Sequence, residues 1–170
     1  MPETGCDYYF DTVTLSNFAL SGRLDLLIAR YGRRAMITPQ VQDEIADCVV
    51  SGYSELREVE VAVAGGEFRG AEGFSAKERD VYRERLRTLS PGEASCITLA
   101  QARGGVVATD DRTARNTCFD HGVPFTGTIG ILKVCVLDGV LALQEADDVL
   151  LAMTRSGYHS PVRRISAVVR

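Results

Sequence analysis

The chain is poor in the residues that build covalent staples and soft metal sites. Histidine occurs only at His121 and His159, each isolated. His121 in "FDHGVP" reads as a helix end, where the C-terminal dipole favours it. Cysteine occurs five times, at Cys6, Cys48, Cys96, Cys118 and Cys135, an odd number with no C-x-x-C spacing. That argues against a disulfide framework and against a zinc site. Cys48, Cys96 and Cys135 sit among aliphatic residues, where a free thiol behaves as a small buried hydrophobe. No apolar run approaches the ~18 residues of a membrane span. The N-terminal "MPETGCDYYFD" lacks a basic segment followed by an apolar one, so no secretory leader is expected and the expected location is cytoplasmic. Lysine is confined to Lys77 and Lys133, which leaves positive charge to arginine, and the formal net charge is -4. The whole molecule is therefore no general sponge for polyanions.

What the chain does have is an ordinary globular composition, 45% hydrophobic and 25% charged over 170 residues. That length predicts a single domain, 1–170, able to bury a sizeable core. Its charge is unevenly spread. Residues 153–170 carry Arg155, Arg163, Arg164 and Arg170 and no acid, a basic C-terminal tail able either to meet a polyanion or simply to be solvated.

Short apolar runs alternate with helical stretches. "DYYFD" (7–11), "RAMIT" (34–38), "GVVAT" (105–109) and "VPFT" (123–126) read as strands. "LSNFALSGRLDLLIARYG" reads as one or two helices broken near Gly22. Thr38-Pro39 is a strong helix start, an N-cap followed by proline at the first helical position. "SELREVEVAVAGG" fits a helix, although its alternation from Val59 also fits a strand. "GGEFRGAEGF" (65–74) reads as a loop with a short strand. Ser75/Glu78 and Ser90/Glu93 both fit the capping-box pattern, opening helices at 76–88 and 91–103. "DRTARNTCFDHG" and "GTIGILKVCVLDG" read as further helices. The alternation predicts an α/β domain, three layers α/β/α, around a central, mainly parallel sheet of about five strands.

In such sheets ligands bind beyond the carboxyl ends of the strands. Two apolar runs end there on acids: Asp11 after "YYF", and Asp110 with Asp111 after "VVAT". Each could merely cap the following helix. Glu44 borders the apolar stripe Val41, Ile45, Cys48, and a carboxylate at a buried margin needs a partner, an arginine or a metal ion. Glu93 lies at a helix start, where its capping box alone could explain it. Arg112 and Arg115, three apart on one helix face, could hold phosphates or pair with the acids.

The blocks "FDTVTLSNFALSGRLDLL", "ITPQVQDEIAD", "LSPGEASCITLAQARGGVVATDDRTAR" and "TGTIGILKVCVLDGVL" resemble, in this order, the PIN-domain proteins over about residues 7–143. The resemblance is nearest to relatives of VapC-like toxins. It implies a metal-dependent ribonuclease using Mg²⁺ or Mn²⁺, with Asp11, Glu44, Glu93 and Asp110 as its acids. It implies Asp11, Glu93, Asp110 and Asp111 as metal ligands converging on one or two cations, and Thr109, Arg112, Arg115, Thr126 and Thr128 as substrate contacts. It also implies an RNA substrate, an antitoxin partner and a homodimer. That branch carries a small hydroxyl two residues after the first aspartate, and here the position is Val13. Oxygen ligands of this kind suit hard divalent cations.

Two alternatives stand beside this. "FDTVTL" is similar to the opening of haloacid-dehalogenase-like phosphatases, but Val13 replaces the second aspartate that serves as general acid there. A PIN-like scaffold that binds RNA or a protein without cutting it carries the same residues.

Overall fold

The computed structural model describes residues 5–170. Five strands, β1 (Tyr8–Phe10), β2 (Ala35–Ile37), β3 (Arg69–Gly70), β4 (Val106–Ala108) and β5 (Phe125–Thr126), form one sheet in the order β3-β2-β1-β4-β5. Every pairing is parallel, with Tyr8 beside both Ala35 and Val106. The helices are α1 (Thr12–Leu20), α2 (Leu24–Tyr31), α3 (Pro39–Val50), α4 (Arg57–Ala64), α5 (Ala76–Arg85), α6 (Pro91–Arg103), α7 (Arg112–Asp120), α8 (Thr128–Leu137) and α9 (Leu143–Arg155). β1 and β2 are buried at every position, as strands covered on both faces must be. Among the described residues no helix is long and apolar enough to cross a membrane.

The local signals explain most of the helix starts. Thr38 caps α3, its hydroxyl accepting from Val41 N, with Pro39 at the first turn. Ser75 and Ser90 both form complete capping boxes, with Glu78 and Glu93 respectively. α5 ends at Arg85, short of the expected span of 76–88. The ambiguous segment after Ser54 is helical: a 3₁₀ turn leads into α4, where Val59 and Ala62 are buried three residues apart while Val61 is 69% exposed. Strand alternation would have placed Val59 and Val61 on the same face. Cys96, Cys118 and Cys135 are buried free thiols, and burial pushes the latter two up to about 11.

The chain after α8 is part of the packed fold. α9 buries Ala146, Val149, Leu150 and Met153, the stripe of an amphipathic helix. Beyond it Ile165 is fully buried, and Ser166 donates through both its backbone N–H and its hydroxyl to Asp147. The arginines Arg155, Arg163 and Arg164 remain exposed on this anchored segment.

The strand order reverses direction between β1 and β4. Connections from these two neighbours leave toward opposite sides, which opens a crevice at their carboxyl ends. Asp11 follows β1 and Thr109-Asp110-Asp111 follows β4, so the crevice edge is acidic.

Candidate active site

Asp11 sits at the centre of this edge and is only 2% exposed. Its backbone N–H continues the sheet by donating to Ala108 O, 3.0 Å away. Its side chain caps α1, accepting from Thr14 N at 2.7 Å, and also accepts the Thr109 hydroxyl at 2.5 Å. Burial is the larger influence and lifts its carboxyl to about 6 against those donors, with the nearby Asp110 charge adding to the rise.

Glu44 projects from α3 into the same crevice, where Oε1 accepts the Thr12 hydroxyl at 2.7 Å. α1 begins immediately after Asp11, so Thr12 points across the crevice rather than along an extended strand. Position 13, where the resemblance calls for a hydroxyl, holds Val13, which is 56% exposed. Gly92, buried in the first turn of α6, lies directly against Glu44, and a Cβ there would collide with Glu44 Oε1. Glu93 does both of the things its position allowed. It completes the capping box, Oε2 accepting from Ser90 N at 3.1 Å, and it lines the crevice. Burial raises its pKa, and the charges of Asp111 and Glu44 raise it further.

Asp11, Glu44 and Glu93 therefore line one cleft of about 390 Å³. Among the described residues no arginine, lysine or histidine forms an ion pair with any of the three. Asp110 is different. Its Oδ1 accepts from Thr128 N at 2.9 Å, and its Oδ2 accepts from the Thr128 hydroxyl at 2.5 Å and from Asn17 Nδ2 at 3.3 Å. Arg115 Nη2 lies 3.7 Å from Oδ1. Asp110 faces a second, adjoining cavity, so the convergence expected of the four acids is partial. Asp111 is exposed and caps α7, with Oδ2 accepting from Ala114 N at 2.8 Å.

Two of the expected substrate contacts take another role. Thr109 and Thr128 are fully buried, and their hydroxyls hold Asp11 and Asp110. They reach a ligand only through those acids. Arg115 is partly committed as well, donating from Nε to Thr109 O at 2.9 Å. Arg112 is exposed at the start of α7, and Thr126 lines the second cavity. Thr12, Asn17 and Gly92 escape a reading of the sequence, because each acts on a residue distant along the chain. Gly92 alone leaves a local trace, the unusual choice of glycine inside a helix's first turn.

Among the described residues no three acidic, histidine or cysteine side chains close into a ready-made metal cage. The donor set nevertheless fits a hard cation. Asp11, Glu44 and Glu93 offer only oxygen, and burial makes the charged forms of Asp11 and Glu93 less favourable. Gly92 keeps free the space that Glu44 occupies.

A parallel sheet with an acidic cleft at its switch point defines an α/β domain built for a ligand at the strand ends. The chain belongs to the PIN-domain family, whose model matches residues 8–170. PIN domains are generally nucleases and generally use divalent metals. The match runs through α9 and the basic segment, and with it the haloacid-dehalogenase-like alternative falls. A comparison with curated proteins gives no match.

The Asp110 network makes a prediction of its own. Thr128→Val removes the hydroxyl donor from a largely buried carboxylate and is expected to destabilise the protein by about 1–3 kcal/mol. Thr128→Ser should restore most of it. Urea melts of the three proteins check this, and a valine variant as stable as the parent would show that Asp110 does not depend on Thr128.

Proposed function

We propose that this chain is a metal-dependent ribonuclease of PIN type, acting as the toxin of a toxin–antitoxin pair. The observation that carries the reading is the cleft formed by Asp11, Glu44 and Glu93: carboxylates gathered at the switch point, none of them in an ion pair among the described residues. A bound Mg²⁺ or Mn²⁺ would supply Lewis acidity and lower the pKa of a water molecule. Asp11 and Glu93 are the acids to hold such an ion. Asp111, whose charge raises the pKa of Glu93, can join them at the open end, with Asp110 behind it. Glu44 has Oε1 fixed by Thr12, which leaves Oε2 to orient a water and accept its proton. Arg112, exposed at the start of α7, would meet a phosphate of the RNA. An antitoxin segment covering the acidic cleft, a second copy of the chain and a cytoplasmic location complete the proposal.

A second reading, a scaffold that binds RNA or protein without cutting, uses the same residues, with Asp11, Asp110 and Glu93 already engaged in hydrogen bonds within the fold. Cleavage of a mixed RNA pool in Mn²⁺, Mg²⁺ or EDTA separates the two. Glu93→Gln sharpens the test, because glutamine preserves a capping box while removing the charge. Its melting temperature should stay near that of the parent while metal-dependent cleavage falls by more than about 100-fold, beyond the ~10–100-fold lost with a group that only orients a metal ligand. A chain that cuts nothing in either metal is the scaffold. Undiminished cleavage by Glu93→Gln would reduce Glu93 to a helix cap.

A further inference from the structure

We propose that the cavity beyond Asp110 is a subsite for one unpaired nucleobase, stacked on Tyr158 and read on its acceptor edge by Arg115, with guanine preferred. This rests on the ribonuclease reading and adds to it a place for the base next to the cleaved phosphate. The cavity, about 570 Å³, shares Asp110 with the acidic edge and is walled by Phe125, Tyr158 and His159. Unpaired bases stack on such side chains, and every base presents a π-face to them.

The wall is fixed rather than loose. Tyr158 N donates to Met153 O at 3.0 Å, and Val162 N and the Ser160 hydroxyl close a turn just beyond it. Ile165 then pins the segment to the core. The Tyr158 ring packs partly against that core, and its hydroxyl faces Thr128 and Asp110. Two glycines let the polar side chains of the remaining side pack closely on the backbone. A Cβ at Gly127 would collide with Arg115 and Asp110, and one at Gly130 would meet Thr126 Oγ1.

Arg115 gives the cavity its chemical preference. Its Nε is anchored on Thr109 O, and its guanidinium lies 5.4 Å from the centre of the Phe125 ring. Nη2 is 3.7 Å from Asp110 Oδ1, longer than a hydrogen bond, so the terminal nitrogens retain donors for a ligand. An oriented guanidinium fork matches the paired acceptors O6 and N7 of guanine. A phosphate would fit less well, because the Asp110 carboxylate lines the same cavity and repels an anion.

The test uses the full chain, Ca²⁺ in place of Mg²⁺ to suppress cutting, and a fluorescein-labelled unstructured RNA carrying one abasic nucleotide at each position in turn. In the parent protein, removing one particular guanine should weaken binding roughly tenfold, within the range of a single base–aromatic stack. Tyr158→Phe should keep that sensitivity, and Tyr158→Leu should lose most of it. Replacing the same guanine by adenine should weaken binding by Arg115-containing protein and leave Arg115→Gln indifferent. A parent with no position-specific loss overturns the subsite without recourse to any variant. Equal losses of intact and abasic strands in Tyr158→Leu overturn it too, since they mark a general RNA surface. Cleavage in Mn²⁺ with no Tyr158-dependent base effect sinks the subsite alone. A base effect with no cleavage sinks the nuclease reading alone, and absence of RNA binding sinks both.

Discussion

Asp11→Asn is expected to abolish metal-dependent RNA cleavage and at the same time to stabilise the metal-free protein above about pH 6. Asparagine caps a helix as well as aspartate does, so Thr14 N keeps its acceptor and α1 its start. What disappears is a carboxylate whose burial lifts it from 3.8 to about 6. The sign follows from where the proton sits. Between those two values the folded state binds a proton that the unfolded chain has already released, so stability falls as pH rises. The full penalty is present above about pH 6 and is relieved toward pH 4. For this buried group the displacement is worth up to about 3 kcal/mol, or ~5–10 °C in a chain of this size. Thermal melts without metal should therefore separate variant and parent at pH 7.5 and nearly superimpose them at pH 4. Mn²⁺ should raise the melting temperature of the parent, by binding only its folded form, and leave the variant unmoved. A difference between the two proteins that is the same at both pH values would remove Asp11 from the group whose charge is held against its environment.

The acids themselves are legible in the sequence because a strand's end is a local event. "YYF" followed by Asp11, and "VVA" followed by Thr109-Asp110-Asp111, can be placed at one sheet edge from apolar run length and the switch-point rule alone. The capping boxes at Ser75 and Ser90 are legible for the same reason. Roles that depend on distant partners are not. Asp110 and Asp111 are identical and adjacent, and what separates them is Asn17 and Thr128, 93 and 18 residues away from Asp110. Two neighbouring aspartates at a strand end suggest an expected cation. The structure places the Arg115 guanidinium beside the first and leaves the second open, capping α7. The basic C-terminal segment shows the same limit. Its charge is visible residue by residue, whereas the burial of Ile165 that anchors it depends on α9 lying beneath.

Gly92→Ala is expected to leave the fold intact and cut RNA cleavage about 100-fold, the scale of a lost acid–base group. Alanine is better than glycine inside a helix by about 1 kcal/mol, so propensity favours the change. The new Cβ falls on Glu44 Oε1, the far end of a flexible and half-buried side chain, which can swing aside at small cost. Swinging aside breaks the 2.7 Å hydrogen bond from Thr12 and takes the carboxylate out of the position facing Asp11 and Glu93. The two effects oppose each other in stability, and melting should shift by no more than about 1 kcal/mol equivalent in either direction. In activity nothing opposes the loss. Glu44→Gln should lose cleavage to a similar degree, and the double variant should be no worse than either single one, because both remove the same group. Losses that multiply in the double variant would mean that Gly92 acts by some route other than Glu44, and that the bare surface in the first turn of α6 serves the backbone alone.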